Sequence, residues 1–239
     1  MKKLAIILAL CFVGQALAQK DSDYYTDSDV RKRVIGLGAH VNPFYNNSRL
    51  LTNTFNPGQL VTLIDESTKG SWKVGGGLDL YISLTPRFEI VTGVNFGQAE
   101  FSYPTLLFQG INDTAALAYS LNEMVDYVNI PLGISFKSDL DNGWWLEVIP
   151  GLEFSRLLRY EGDFVRGGNA ETEDFMPQTQ DLYTWVSFQL GGTFRPFDTW
   201  GYSVRFQGRY MLNSLIQEDI YLRETLYNIG MNAGIQYRF

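Results

Sequence analysis

The sequence is poor in cysteine, in histidine and in positive charge. Its 239 residues include one cysteine, Cys11, and one histidine, His40. Past Cys11 the chain has no thiol for a disulfide, and a lone histidine argues against a zinc or copper site. The formal net charge is −7, which argues against a nucleic-acid partner.

Long hydrophobic runs are also missing beyond the N-terminus, so no later transmembrane helix is expected. The chain is nevertheless 45% hydrophobic and 15% aromatic, which excludes an intrinsically disordered protein. Its 23 glycines and many aromatic residues favour strands and tight turns over helices.

The first residues have the layout of an export signal. Two lysines precede the apolar run Leu4–Val13, and an Ala-Leu-Ala site ends at Ala18. We predict a signal peptide over 1–18, cleaved before Gln19. A lipoprotein signal ending at Cys11 is the alternative, but the residue before that cysteine is leucine, which is not small.

After a polar, acidic lead over 19–32, which we expect in the periplasm, the chain alternates apolar and polar residues over 33–239. Such period-two patterning indicates strands with one apolar face and one polar face. The predicted strands are 33–45, 72–84, 87–101, 124–137, 143–157, 182–195, 202–213 and 227–239.

The connections alternate as well. Short turns at 85–86, 138–142 and 196–201 alternate with long polar loops at 46–71, 102–123, 158–181 and 214–225. This layout predicts an all-β, eight-stranded, antiparallel, up-and-down transmembrane β-barrel in an outer membrane, with its short turns in the periplasm. A soluble sandwich also alternates, but it has no reason to keep this order of loop lengths. Within the predicted strands, Pro131 and Pro150 each remove a ladder hydrogen bond, so we expect local bulges there.

The C-terminus resembles the signal by which bacterial outer-membrane barrels are recognised for assembly. The residues concerned are Gly234, Tyr237 and Phe239. The chain from about Val34 onward also resembles the small porin-like (PorT-like) barrels of the Bacteroidota, and the stretch 127–134 is similar to a mid-barrel strand of that family. The resemblance implies a fold and an outer-membrane location in a Gram-negative bacterium, but no assigned activity.

The inward-facing charges are the most informative set of candidate residues. We expect acids and bases to pair across adjacent strands and to fill a narrow lumen, with an ion-selective pore as the alternative. The network comprises Asp79, Glu89, Glu147, Arg195, Arg205 and Arg209.

The other candidate residues give weaker indications of a function. His40 faces inward but has no recognisable catalytic partner, so we predict no catalytic, metal or cofactor site. The acidic residues of 158–181 match no known calcium loop. Asp113-Thr114-Ala115 resembles the short O-glycosylation motif of the Bacteroidota, with an ordinary loop threonine as the alternative.

These observations predict a protein that is not an enzyme and that has a structural or interaction role carried by its long loops. A small-solute diffusion channel and an accessory barrel of a protein secretion system are the alternatives. The partners expected are outer-membrane lipid, the barrel-assembly machinery and an unidentified protein at the loops, with no nucleic acid.

Overall fold

The computed structural model describes residues 35–52, 68–85, 87–108, 117–166, 169–196, 199–215 and 222–239. The predicted signal peptide, the acidic lead and Thr114 lie outside them. The described residues form one turn of 3-10 helix, Met176–Gln178, and nine strands: β1 (Ile35–Thr52), β2 (Lys69–Ser83), β3 (Phe88–Phe108), β4 (Leu117–Asp139), β5 (Trp144–Arg166), β6 (Asn169–Asp174), β7 (Tyr183–Phe194), β8 (Trp200–Met211) and β9 (Leu222–Arg238). No helix in this part of the chain is long and apolar enough to cross a membrane.

Eight of the strands close into an antiparallel barrel, which confirms the predicted fold class. The order around the barrel is β1, β2, β3, β4, β5, β7, β8 and β9. The barrel closes where β1 pairs with β9, from Gly36 opposite Arg238 to Thr52 opposite Leu222. The short strand β6 pairs only with the far end of β5, at residues 161–166, and forms a hairpin that extends beyond the barrel wall.

Tight turns join the strands at one end of the barrel. In the β4–β5 turn, Asp141, Asn142 and Gly143 all have positive φ, and Gly143 accepts a hydrogen bond from the Arg195 N–H (2.7 Å). A Cβ on Gly143 would lie 2.6 Å from the Arg195 carbonyl oxygen, so glycine is needed for this close approach as well as for its φ of 81°.

The outer surface of the barrel is apolar. Exposed aliphatic side chains face outward around the whole circumference: Leu37, Val41, Leu78, Val94, Ile134, Leu146, Leu190, Val204 and Ile235. Aromatic pairs in contact mark the short-turn end of this apolar belt: Phe88–Phe136, Trp144–Phe194 and Trp200–Tyr237. Tyr45 and Trp72, whose ring centroids lie 5.9 Å apart, mark its other end.

The strands continue well past that second end, into segments that we expected to be loops. β3 runs to Phe108, β4 begins at Leu117 and β5 ends at Arg166. Beyond the belt the alternation inverts, because the outward positions there are polar (Gln98, Glu100) while inward ones are buried and apolar (Ala99, Phe101). The prediction of loops in these segments was wrong because it relied on an outward apolar face to recognise a strand. That face ends at the edge of the belt, although the strands continue.

The bulges expected at the prolines are absent. The β3–β4 register is the same on both sides of Pro131, and the β4–β5 register is the same on both sides of Pro150. In an antiparallel sheet the backbone of each residue forms hydrogen bonds with only one of the two neighbouring strands. A proline therefore removes one backbone hydrogen bond and leaves the register intact. Register shifts occur instead at Gly70–Gly76, Tyr103–Leu106 and Asp126–Tyr127.

Candidate functional site: the barrel lumen

Glu89 organises the layer of the lumen nearest the short turns. Arg238, at the end of β9, reaches across the interior and donates from a guanidinium nitrogen to Glu89 Oε2 (2.8 Å). Lys137 makes a second ion pair with the same carboxylate, and Ser83 Oγ donates to it (2.8 Å). This carboxylate therefore joins side chains from opposite walls of the barrel.

A second layer is centred on Glu147, which is fully buried. Arg205 binds Glu147 Oε2 through Nε (2.9 Å) and a terminal nitrogen (2.7 Å). Lys137 and Arg195 approach Glu147 Oε1 to 3.6 and 3.9 Å. Glu147 lies on β5 and Arg205 on β8, with β7 between them, so the expectation of pairing across adjacent strands is wrong for this pair. The reason is that the interior is narrow enough for an arginine to span more than one strand.

Arg209 belongs to a third layer, whose acid, Glu153, the sequence analysis did not single out. A terminal nitrogen of Arg209 lies 3.1 Å from Glu153 Oε2, and the other donates to the Tyr127 hydroxyl (2.9 Å). The guanidinium also lies over the Phe44 ring, 5.0 Å from its centroid. Glu153 has the same inward phase as Glu147 on β5, and this signal was available in the sequence.

No arginine of the described residues forms an ion pair with Asp79, although we expected Asp79 to be part of the charge network. Its carboxylate binds His40 Nδ1 (2.8 Å) and accepts a hydrogen bond from the Tyr81 hydroxyl (3.1 Å). His40 and Asp79 lie beside a cavity of about 20 Å³, which has room for about one water molecule. Buried atoms of its lining residues that have no hydrogen-bond partner among the described residues include His40 Nε2, Asn95 Oδ1 and Gln189 Oε1. Such a space suits a bound water and is too small for an organic substrate.

Above the charged layers, an apolar cluster fills the lumen on the side of the long connections. Its aromatic members include Trp185, Tyr127 and Phe101, which are each at most 1% exposed. The other members are Ala99, Val125, Leu157, Tyr160, Tyr183, Met211, Leu215 and Leu226. This apolar plug was not predicted from the sequence, because most of its members lie where the alternation inverts.

Two buried glutamates lie at the outer edge of the plug, beyond the apolar belt. Tyr160 donates a hydrogen bond to Glu123, and Tyr103 donates one to Glu224. Burial raises the pKa of both carboxyls, that of Glu224 to about 7, and the charge of Glu224 raises the pKa of Glu123 further. No cation pairs with either glutamate among the residues described, so the arrangement favours protonated carboxyls.

The residues of the predicted assembly signal lie on the last strand. Tyr237 packs edge-on against Trp200 and Phe239, with ring centroids 4.9 and 5.1 Å away. The Phe239 N–H donates to the Ile35 carbonyl (3.0 Å), and its ring is exposed on the belt. Gly234 lies opposite His40, where a Cβ would approach the Ala39 carbonyl oxygen to 2.9 Å.

Within the described ranges, no group of three or more His, Cys, Asp or Glu side chains is arranged to hold a metal ion. The lumen chemistry there consists of carboxylate–cation pairs, tyrosine hydrogen bonds and apolar packing.

Comparison with known proteins identifies similar structures but no family. No family model and no curated protein match the sequence, so the resemblance to PorT-like barrels stays an expectation. Solved structures with a similar course of the chain include AlkL, determined in DMPC bilayers (TM-score 0.45, 13% identity, 92% of this chain and 96% of that one). Neisserial surface protein A is another (TM-score 0.44, 8% identity, 86% of this chain and 97% of that one). A third is the outer membrane protease OmpT of Escherichia coli (TM-score 0.44, 10% identity, 87% of this chain and 97% of that one).

Proposed function

We propose that this protein is a non-enzymatic outer-membrane barrel with a closed lumen, which presents its projecting strands and loops to a partner. The observation that carries the proposal is the arrangement of its two faces. The outside is an apolar belt, and the inside is a stack of paired charges beneath an apolar plug.

The apolar belt supports the membrane location. A soluble protein rarely exposes more than a few hundred Å² of continuous apolar surface, whereas this belt encircles the barrel. In a closed barrel the wall strands pair with each other, as hydrocarbon requires, and aromatic side chains at both edges suit the membrane interfaces. Bacterial outer membranes are where such antiparallel barrels occur.

The filled interior supports a role without transport or catalysis. The inward cations Lys137, Arg205 and Arg209 each lie within 4 Å of a buried carboxylate. The enclosed space beside His40 admits a water molecule and nothing larger. A histidine–aspartate pair without room for a substrate has a structural use, holding β1 against β2.

The surface left for recognition is the end that projects beyond the belt. There the hairpin of β5 and β6 exposes acidic side chains, among them Asp163, Glu171 and Glu173. Loops carried on a rigid scaffold are common binding sites, and this acidic hairpin would favour a basic partner.

Two steps test the proposal. The protein should fractionate with the outer membrane and, after purification, refold into phosphatidylcholine vesicles with a heat-modifiable gel band. Replacing residues 162–173 by a short turn should preserve that band but abolish crosslinks to neighbouring proteins in native membranes. Recovery as a soluble protein, or unchanged crosslinks without the hairpin, would contradict the proposal.

A further inference from the structure

A groove of about 650 Å³ runs along the outer wall of the barrel over β7, β8, β9 and the adjoining part of β1. Its floor is at Gly208, which faces outward. A Cβ placed on Gly208 would have no other atom within 4 Å, so the wall has a gap where most outward positions carry a side chain. Gly208 lies between Phe188 on β7 and Ile229 on β9, and both of these side chains are exposed.

The polarity of the groove changes along the strands. The row containing Gly208 is apolar, with Phe188 and Ile229 as its walls. The next row towards the long connections contains Tyr210 and Tyr227, which pair across β8 and β9. Their hydroxyls contact polar groups, since Tyr227 accepts from Asn47 Nδ2 (3.1 Å) and Tyr210 lies 3.2 Å from Thr225 Oγ1.

Arg49 stands at the polar end of the groove. It is exposed, it lies two residues beyond Asn47 on the same outward face of β1, and its cross-strand neighbour is Thr225. Arg49 makes no ion pair with any residue that the structure describes. The groove therefore passes from an apolar slot, through tyrosine hydroxyls, to a guanidinium that has no ion pair within the described part of the chain.

We propose that this groove binds one anionic, phosphate-bearing lipid of the leaflet on the long-connection side. The acyl chain lies in the slot over Gly208, and Arg49 binds the phosphate. A guanidinium matches phosphate oxygens in a bidentate way, and tyrosines suit the boundary between chain and headgroup. The inference rests on the proposed membrane location, because only a bilayer brings such a lipid to this wall.

Native mass spectrometry of the purified barrel in a mild detergent tests this site. Phosphatidylglycerol and phosphatidylcholine with identical acyl chains are titrated separately. The intact protein should bind one phosphatidylglycerol about tenfold more tightly than phosphatidylcholine, because the choline cation of phosphatidylcholine offsets the charge of the phosphate that Arg49 would bind. Glycerol 3-phosphate, which has no acyl chain, should not bind at the same concentrations.

Two variants separate the halves of the site. Arg49→Gln should lower the affinity for phosphatidylglycerol to that for phosphatidylcholine. Gly208→Leu should fill the slot and lower the affinities for both lipids by a similar factor. Arg156→Gln, which removes an exposed arginine on β5, and Gly192→Leu, which fills an outward glycine of β7, serve as matched controls and should leave both affinities unchanged.

The inference is overturned if the intact protein does not prefer phosphatidylglycerol. It is also overturned if Arg156→Gln lowers the affinity for phosphatidylglycerol as much as Arg49→Gln does. Binding of glycerol 3-phosphate would also overturn the inference, because the site would then bind a phosphate that carries no acyl chain. These failures differ from failure of the proposed membrane location. That location is tested by insertion into phosphatidylcholine vesicles, which does not depend on a preferred lipid.

Discussion

Removing the Glu147 carboxylate tests the charge layers directly. Among the described residues, only Glu147 has a carboxylate within ion-pair distance of Arg205, whose side chain is 1% exposed. The substitution Glu147→Ala leaves that guanidinium buried without its counter-charge, whereas Lys137 keeps its contact with Glu89. Breaking a buried pair by removing one partner costs about 3–5 kcal/mol, and we expect the free energy of unfolding to fall by that amount.

Urea unfolding of the barrel in phosphatidylcholine vesicles, followed by tryptophan fluorescence, measures this loss. Arg156→Ala removes an exposed arginine instead and should change the free energy of unfolding by no more than about 0.5 kcal/mol. The double substitution Glu147→Leu with Arg205→Met removes both charges and should recover most of the loss, since no buried charge then remains unpaired. A loss under about 1 kcal/mol for Glu147→Ala, with an unchanged urea dependence, would mean that water solvates Arg205 and would refute the reasoning.

Three further results are expected. Because the folded state raises the pKa of Glu123 and Glu224, an unfolded outer end releases their protons first as the pH rises above about 4.5, so its stability should fall as the pH rises through about 7, the folded-state pKa of Glu224; the protection of the outer end against hydrogen exchange, corrected for the intrinsic rate, should decrease over this range, and less so in Glu224→Gln. Deleting Phe239 should block assembly, seen as loss of the heat-modifiable band in cells, and normal insertion of the shortened chain would show that the terminal signal was misread. Mass spectrometry of the native loop peptide should find a glycan on Thr114, and an unmodified peptide would end that idea.

The alternation of apolar and polar residues was enough to predict the barrel, because lipid outside and a polar lumen inside impose a period of two. The last strand shows why this works. Ile229 and Ile235 face outward, while Asn228 and Asn232 face inward and are buried. The same pattern identified Glu147 and Arg205 as inward residues on different strands.

Depth and partnership within the lumen could not be predicted in this way. Phase along a strand says which face a side chain occupies, but not which residue it meets across the interior. The contact between Glu89 and Arg238 depends on the closure of β9 onto β1, and Asp79 binds His40 in place of a cation. The apolar plug was missed for a different reason, since beyond the belt the apolar residues point inward.

The central claim is that this barrel is sealed, and planar-bilayer recording of the purified protein tests it most directly. Insertion is verified by recovering heat-modifiable protein from vesicles made of the same lipid. The paired charges and the plug predict no steady conductance at neutral pH from the unmodified protein. A reproducible open channel would contradict the account and would favour diffusion of small solutes as the function.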